Sequence, residues 1–139
     1  MRTRNIAVTT VLGLALLAIA RPPASAGGAM TGSPDAQLKA QLRNLVTAEE
    51  KFWAEHGTYT TDVSQLGMFR AKSTSTDSTW AQVLYAGGRS WSGRALYRGK
   101  LGRSCAIYVG ALSDFPSPPV TEADSLRATE EGAPVCDKF

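Results

Sequence analysis

Ser33-Pro34-Asp35-Ala36-Gln37-Leu38-Lys39-Ala40-Gln41-Leu42-Arg43-Asn44-Leu45-Val46-Thr47-Ala48-Glu49-Glu50-Lys51-Phe52-Trp53-Ala54-Glu55-His56-Gly57 decides the fold. Ser33 can cap a helix, Pro34 fits its first position, and Asp35 suits its positive end. From there to His56 the run contains no further proline, no glycine and few β-branched residues, and Gly57 is the natural stop. The run predicts about 23 residues of helix, roughly 34 Å long. At 100° per residue, Leu38, Leu42, Leu45, Val46, Phe52 and Trp53 share one stripe, with Lys39, Arg43, Thr47, Glu50, Lys51 and Ala54 opposite. Such a stripe needs a cover. Glu49 interrupts it near its middle, and the plain expectation is that the covering sheet or water satisfies it. His56 lies on the same stripe, about 10 Å further along the axis, too far for an acid–base pair, at a fraying helix end.

Downstream the pattern changes to strands. Thr58–Gly67 reads as a loop with one helical turn, capped by Thr61 or Asp62 and pinned by Leu66. Trp80–Ala86 is rich in β-formers and runs into Gly87-Gly88, a hairpin signal. In Ser90–Arg98, Trp91, Gly93, Ala95 and Tyr97 point one way, while Ser90, Ser92, Arg94 and Arg98 point the other, with Leu96 breaking the pattern. Gly99–Gly102 is a second turn and Ser104–Val109 the third strand. Met68–Lys72 adds a short edge strand, and Ser73–Thr79 is a polar loop. Short turns between strands make an antiparallel meander. The prolines at 116, 118 and 119 end the sheet and start a long excursion, with a turn of helix expected at Thr121–Leu126. Ala133–Cys136 then returns to the sheet. The expected class is α+β: one long amphipathic helix on a small antiparallel sheet, with a C-terminal disulfide-closed loop. Strands of 5–6 residues span about 17–20 Å, so a helix of this length outruns them. Its first turns, with Leu38 and Leu42, are therefore a candidate assembly surface.

The first 26 residues read as an export signal. Arg2 and Arg4 precede the uncharged Ile6–Ala20, Arg21-Pro22-Pro23 stops a helix, and Ala24-Ser25-Ala26 is a small-x-small cleavage site. Fifteen residues of helix rise about 22 Å, short of the roughly 30 Å hydrocarbon core. The alternative is an uncleaved anchor, the one route by which this chain would meet a membrane. Residues 27–33 are a flexible lead-in, and 34–139 form the single domain. The formal charge is +3, but Arg2, Arg4 and Arg21 carry the whole excess. Without them the charges balance, so attraction to phosphate backbones has little to draw on and no nucleic acid is expected. Arg89, Arg94, Arg98, Lys100 and Arg103 cluster around Trp91 and Tyr97, but basic residues on an exposed sheet face and its turns are ordinary, and they guard edges. Nucleic acid or an anionic polymer is the sharper alternative reading of this cluster.

Export also accounts for Cys105 and Cys136, the only two cysteines, which an oxidising compartment pairs. A bridge across about 30 residues stabilises by roughly 3–4 kcal/mol in the chain-entropy account. A reactive thiol is the competing reading, without a C-x-x-C spacing to support it. One histidine and no phosphate-cradling or calcium-loop motif give no catalytic, cofactor or metal assignment.

The run Leu38–Thr60, with its Leu- and Ala-rich amphipathic helix, the aromatic pair Phe52-Trp53, Gly57-Thr58-Tyr59 and nearby Leu66, resembles type IV pilins and pseudopilins. Ser104–Gly110 and Glu131–Cys136 look like the strand and tail that carry the pilin C-terminal disulfide. The prepilin leader is missing: segment 6–20 has no Gly-Phe cleavage site and no acidic residue after it, and Gly27-Gly28 separates it from the helix. The resemblance implies a pilin-like head domain exported by the general route to the periplasm, cell surface or medium. It would be a non-enzymatic structural or interaction module, a component or accessory of a surface filament or secretion pseudopilus. Its partners would be proteins, copies of itself or pilus subunits. The alternative is a small secreted or periplasmic ligand-binding or inhibitor domain on the same scaffold.

Overall fold

The computed structural model describes residues 32–67, 69, 79–98 and 102–138. Residues 1–26, read above as an export signal, residues 27–31 of the expected lead-in, most of the edge strand expected at 68–72, residues 73–78 of the expected polar loop and most of the turn expected at 99–102 lie outside the described residues.

Helix α1, Pro34–His56, begins and ends as its local signals require. Ser33 Oγ accepts the Ala36 N–H at 3.3 Å, and Gly57, at φ 71°, donates its N–H to the Trp53 carbonyl. That left-handed conformation costs glycine nothing and a side-chain-bearing residue about 1–2 kcal/mol. A short 3₁₀ turn, Val63–Gln65, follows, capped by Asp62 accepting the Ser64 N–H.

Strands β1 (Thr79–Ala86), β2 (Trp91–Tyr97), β3 (Ser104–Val109) and β4 (Val135–Cys136) form one sheet in the order β1-β2-β3-β4. Every neighbouring pair is antiparallel. Register shifts between Val83 and Tyr85, where Leu84 bulges outward. This is the meander expected from the turn residues. The disulfide between Cys105 and Cys136 joins residues directly opposite each other on β3 and β4, and the two-residue β4 has few ladder bonds of its own to hold it. A disulfide points to an oxidising compartment. Among the described residues, no helix is long and apolar enough to cross a membrane.

α1 lies on one sheet face, and Leu38, Leu42, Leu45 and Phe52 pack with Ala81, Trp91, Ala95, Tyr97, Cys105 and Ile107. Gly93 permits the close approach: a Cβ there would lie 3.0 Å from Leu45 Cδ2 and 2.9 Å from the Trp91 ring. The other sheet face is covered too. Chain 110–134 folds across it, and Phe115 meets Tyr85 and Tyr108 edge-on at 5.3 and 5.7 Å between ring centres. Ala128 and Val135 complete this second, smaller core. Ser92, expected on an open polar face, is buried beneath the cover. No helical turn forms at Thr121–Leu126. The segment is a loop closed by a bridge between Val120 and Arg127, in which Thr121 Oγ1 accepts the Leu126 N–H.

Candidate functional site

The proposed assembly surface does not exist as a surface. Leu38 and Leu42 are fully buried in the core between α1 and the sheet. The stripe from Leu38 to Phe52 runs about 21 Å along α1 at 1.5 Å per residue. The eight residues of β1 span about 26 Å at 3.3 Å each, more than the strand length on which the overhang rested. The helix therefore finds sheet beneath it from its second turn onward. At this end the Asp35 carboxylate lies within 4.8 Å of both disulfide sulfurs and pairs with Lys39 at 2.8 Å.

Trp53 departs from expectation in the opposite sense. Placed in the core by periodicity, it is 42% exposed. It sits on the flank of the stripe, at the hairpin end of the sheet, and its indole N–H donates to the Gly88 carbonyl in the β1–β2 hairpin at 2.9 Å. The Tyr59 ring lies 6.3 Å away, centre to centre, and 6.4 Å from Trp91 on its other side.

The loop 57–60 is tied on both sides. The Tyr59 N–H donates to the Gly87 carbonyl at 3.2 Å, and the Thr58 hydroxyl to the same oxygen. Consecutive carboxylates of α1 hold the other side: Glu50 Oε1 accepts the Tyr59 hydroxyl at 2.9 Å, and Glu49 Oε2 accepts the Thr60 N–H at 3.2 Å. Burial, the hydrogen bond to Glu50 and the nearby carboxylates push the Tyr59 phenol up to about 12. Glu49 is fully buried, and its Oε1 has no hydrogen-bond partner among the described residues. Among the described residues it is the loop, not the sheet, that hydrogen-bonds Glu49, and at one oxygen. His56 is turned away from it, with Nδ1 2.9 Å from the Phe52 carbonyl and its ring stacked on Phe52.

Among the described residues, the basic side chains do not form a track. Arg94 is half-buried and pairs with Glu122, Arg103 pairs with Asp124 at 3.2 Å, and Arg98 lies over the Trp80 ring at 5.8 Å. Lys100 lies outside the described residues. Carboxylates from the 110–134 cover and an aromatic face thus engage three of these side chains. Beneath them is a group that sequence reasoning missed. The buried Asp137 carboxylate accepts the Ser104 N–H and hydroxyl and the backbone N–H groups of Ala123 and Asp124. Burial raises its pKa, but the Thr121 hydroxyl and these amides together outweigh that and hold it below the usual carboxylate range. A signal for the covered face was present in β3: Ser-Cys-Ala-Ile-Tyr-Val is apolar at nearly every position, as a strand buried on both faces must be.

The candidate site is thus the end of the molecule where the α1 C-terminus, loop 57–60 and the β1–β2 hairpin meet. It offers a fixed indole face, a tyrosine, and a carboxyl group held in the buried core beside them. Comparison with known protein families finds no match, and comparison with curated proteins finds none either.

Proposed function

We propose that this chain is an exported, pilin-like module that serves protein contacts rather than catalysis. One observation carries the reading: a long capped helix lies on an antiparallel meander whose last strand, returned by a long excursion, is stapled to the third by a disulfide. That arrangement is what the likeness of Leu38–Thr60 and Cys105…Cys136 to pilins and pseudopilins implies. Its partners would be subunits of a surface filament or pseudopilus, or further copies of itself. Because Leu38 and Leu42 are internal, contact must use surface outside the core, and Trp53 is the most exposed large apolar side chain described. An indole whose orientation is fixed loses little freedom on binding, which favours a contact role.

The exposed Trp53 beside Tyr59 also suits the second reading, a small secreted binding or inhibitor domain. Negative-stain microscopy of the exported protein separates the two. Filaments, or a decorated pilus, support the pilin-like role; dispersed monomers that never associate with a filament overturn it.

A further inference from the structure

Glu49 is a carboxyl group at a position where a helix packed on a sheet otherwise carries apolar side chains. It lies between Leu45 and Phe52 on the covered stripe and is fully buried. One oxygen receives a single neutral donor, the Thr60 N–H, and the other has no partner among the described residues. A buried carboxylate with one neutral donor is costly, and such a group keeps its proton or finds water.

Among the described residues, no cationic side chain pairs with Glu49. From α1, the neighbouring Glu50 is like-charged and already holds the Tyr59 hydroxyl. His56, further along the same helix, is stacked on Phe52. From the loop comes Tyr59, on which Glu131 of the C-terminal segment also acts. The hairpin contributes Arg89, exposed beside Gly88. The sheet side chains of the same core, Ala81, Trp91, Ala95 and Ile107, are uncharged. Burial pushes the Glu49 carboxyl up to about 7, with the Thr60 amide pulling it down and Glu50 pushing it further up.

Among the described residues, the thin side of this enclosure is the loop. Thr60 is only half-buried, while the sheet carries packed side chains on both faces. Water that solvates an ionised Glu49 would have its shortest described route past Thr60.

We propose that Glu49 is a proton-operated clasp on the loop 57–60. Neutral, it keeps the loop seated on α1; ionised, it draws water inward and loosens Thr60 and Tyr59, and with them the face that carries Trp53. Acid seats the loop and alkali frees it.

The test is a pH titration of the intact, disulfide-bonded protein from pH 5 to 9, followed by backbone amide resonances. The Thr60 amide is expected to shift with a midpoint near 7. Exchange protection of the Tyr59 and Thr60 amides, corrected for the intrinsic rate, should fall at least about tenfold across that midpoint. Glu49→Gln should abolish both changes, and His56→Gln should keep both. A Thr60 amide that does not titrate, unchanged protection, persistence of the transition in Glu49→Gln, or its loss in His56→Gln would overturn the proposal. Should Glu49→Gln fail to fold, the wild-type and His56→Gln titrations still decide it.

Discussion

Asp137 Oδ2 accepts both the backbone N–H and the hydroxyl of Ser104, at 2.8 and 3.1 Å. The Ser104 hydroxyl oxygen in turn accepts the Glu122 N–H at 2.7 Å. The end of the chain is thereby fastened to the start of β3, and the covering segment to both. Asp137→Ala leaves several donors unsatisfied in a mostly dry place, so a loss on the order of 3 kcal/mol is expected. Thermal unfolding at neutral pH measures it. The folded carboxyl titrates below its ordinary 3.8, so its contribution is complete above that pH and is lost as pH falls through the folded value. The variant should therefore show a shallower acid loss of stability than the wild type.

Glu49 works in the opposite direction. Its folded pKa of about 7 lies above the ordinary 4.5, so the unfolded chain gives up the proton first. Stability is expected to fall by about 3 kcal/mol as pH rises from 4.5 to 7, and then to level off. Glu49→Gln should flatten that slope and be more stable than wild type at pH 8. Urea unfolding at pH 5 and pH 8 for both proteins checks it; equal slopes would contradict it.

Leu38 and Leu42 belong to the core, and substitution there is expected to act on folding. Leu42→Ala should cost roughly 2–5 kcal/mol, and changing both residues to Ser should unfold the domain. Circular dichroism with denaturant reads this. A double variant that keeps the wild-type midpoint would return these leucines to the surface.

Gly93 is where the helix and sheet come closest. Gly93→Ala forces its methyl group against Leu45, the Trp91 ring and the Gln82 carbonyl, at an expected cost of about 1–3 kcal/mol. Pairing it with Leu45→Ala, which removes one of the opposing groups, should give a double variant less destabilised than the sum of the two. A double-mutant cycle measures that coupling.

Replacing Cys105 and Cys136 together by Ser should lower stability by about 2–4 kcal/mol. Loss of protection should concentrate in β4 and the covering segment, because β4 has only two ladder residues. Hydrogen exchange resolves this; a uniform loss across the sheet would contradict it.

The ends of α1 were legible because caps act within a few residues: Ser33, Pro34 and Gly57 do in the structure what their side chains and backbones prefer anywhere. The meander was legible for a similar reason, since Gly87-Gly88 and the alternation of Trp91, Gly93, Ala95 and Tyr97 are short-range patterns. The disulfide followed from arithmetic, two cysteines and an N-terminal segment that reads as an export signal. Local pattern does not say which element lies across a side chain, or how far that element extends. Strand length brought Leu38 and Leu42 under cover, and the end of the sheet left Trp53 outside it, although all three share one helical stripe. The second covered face depended on chain 110–134 crossing β3, so Ser92, Ser104 and Asp137 became buried through partners far away in sequence. Glu49 shows the division most directly. Its place on the apolar stripe is written in the helix period, but its protonation depends on the dry core around it and the single N–H that Thr60 brings from the following loop, and only the folded chain puts those together.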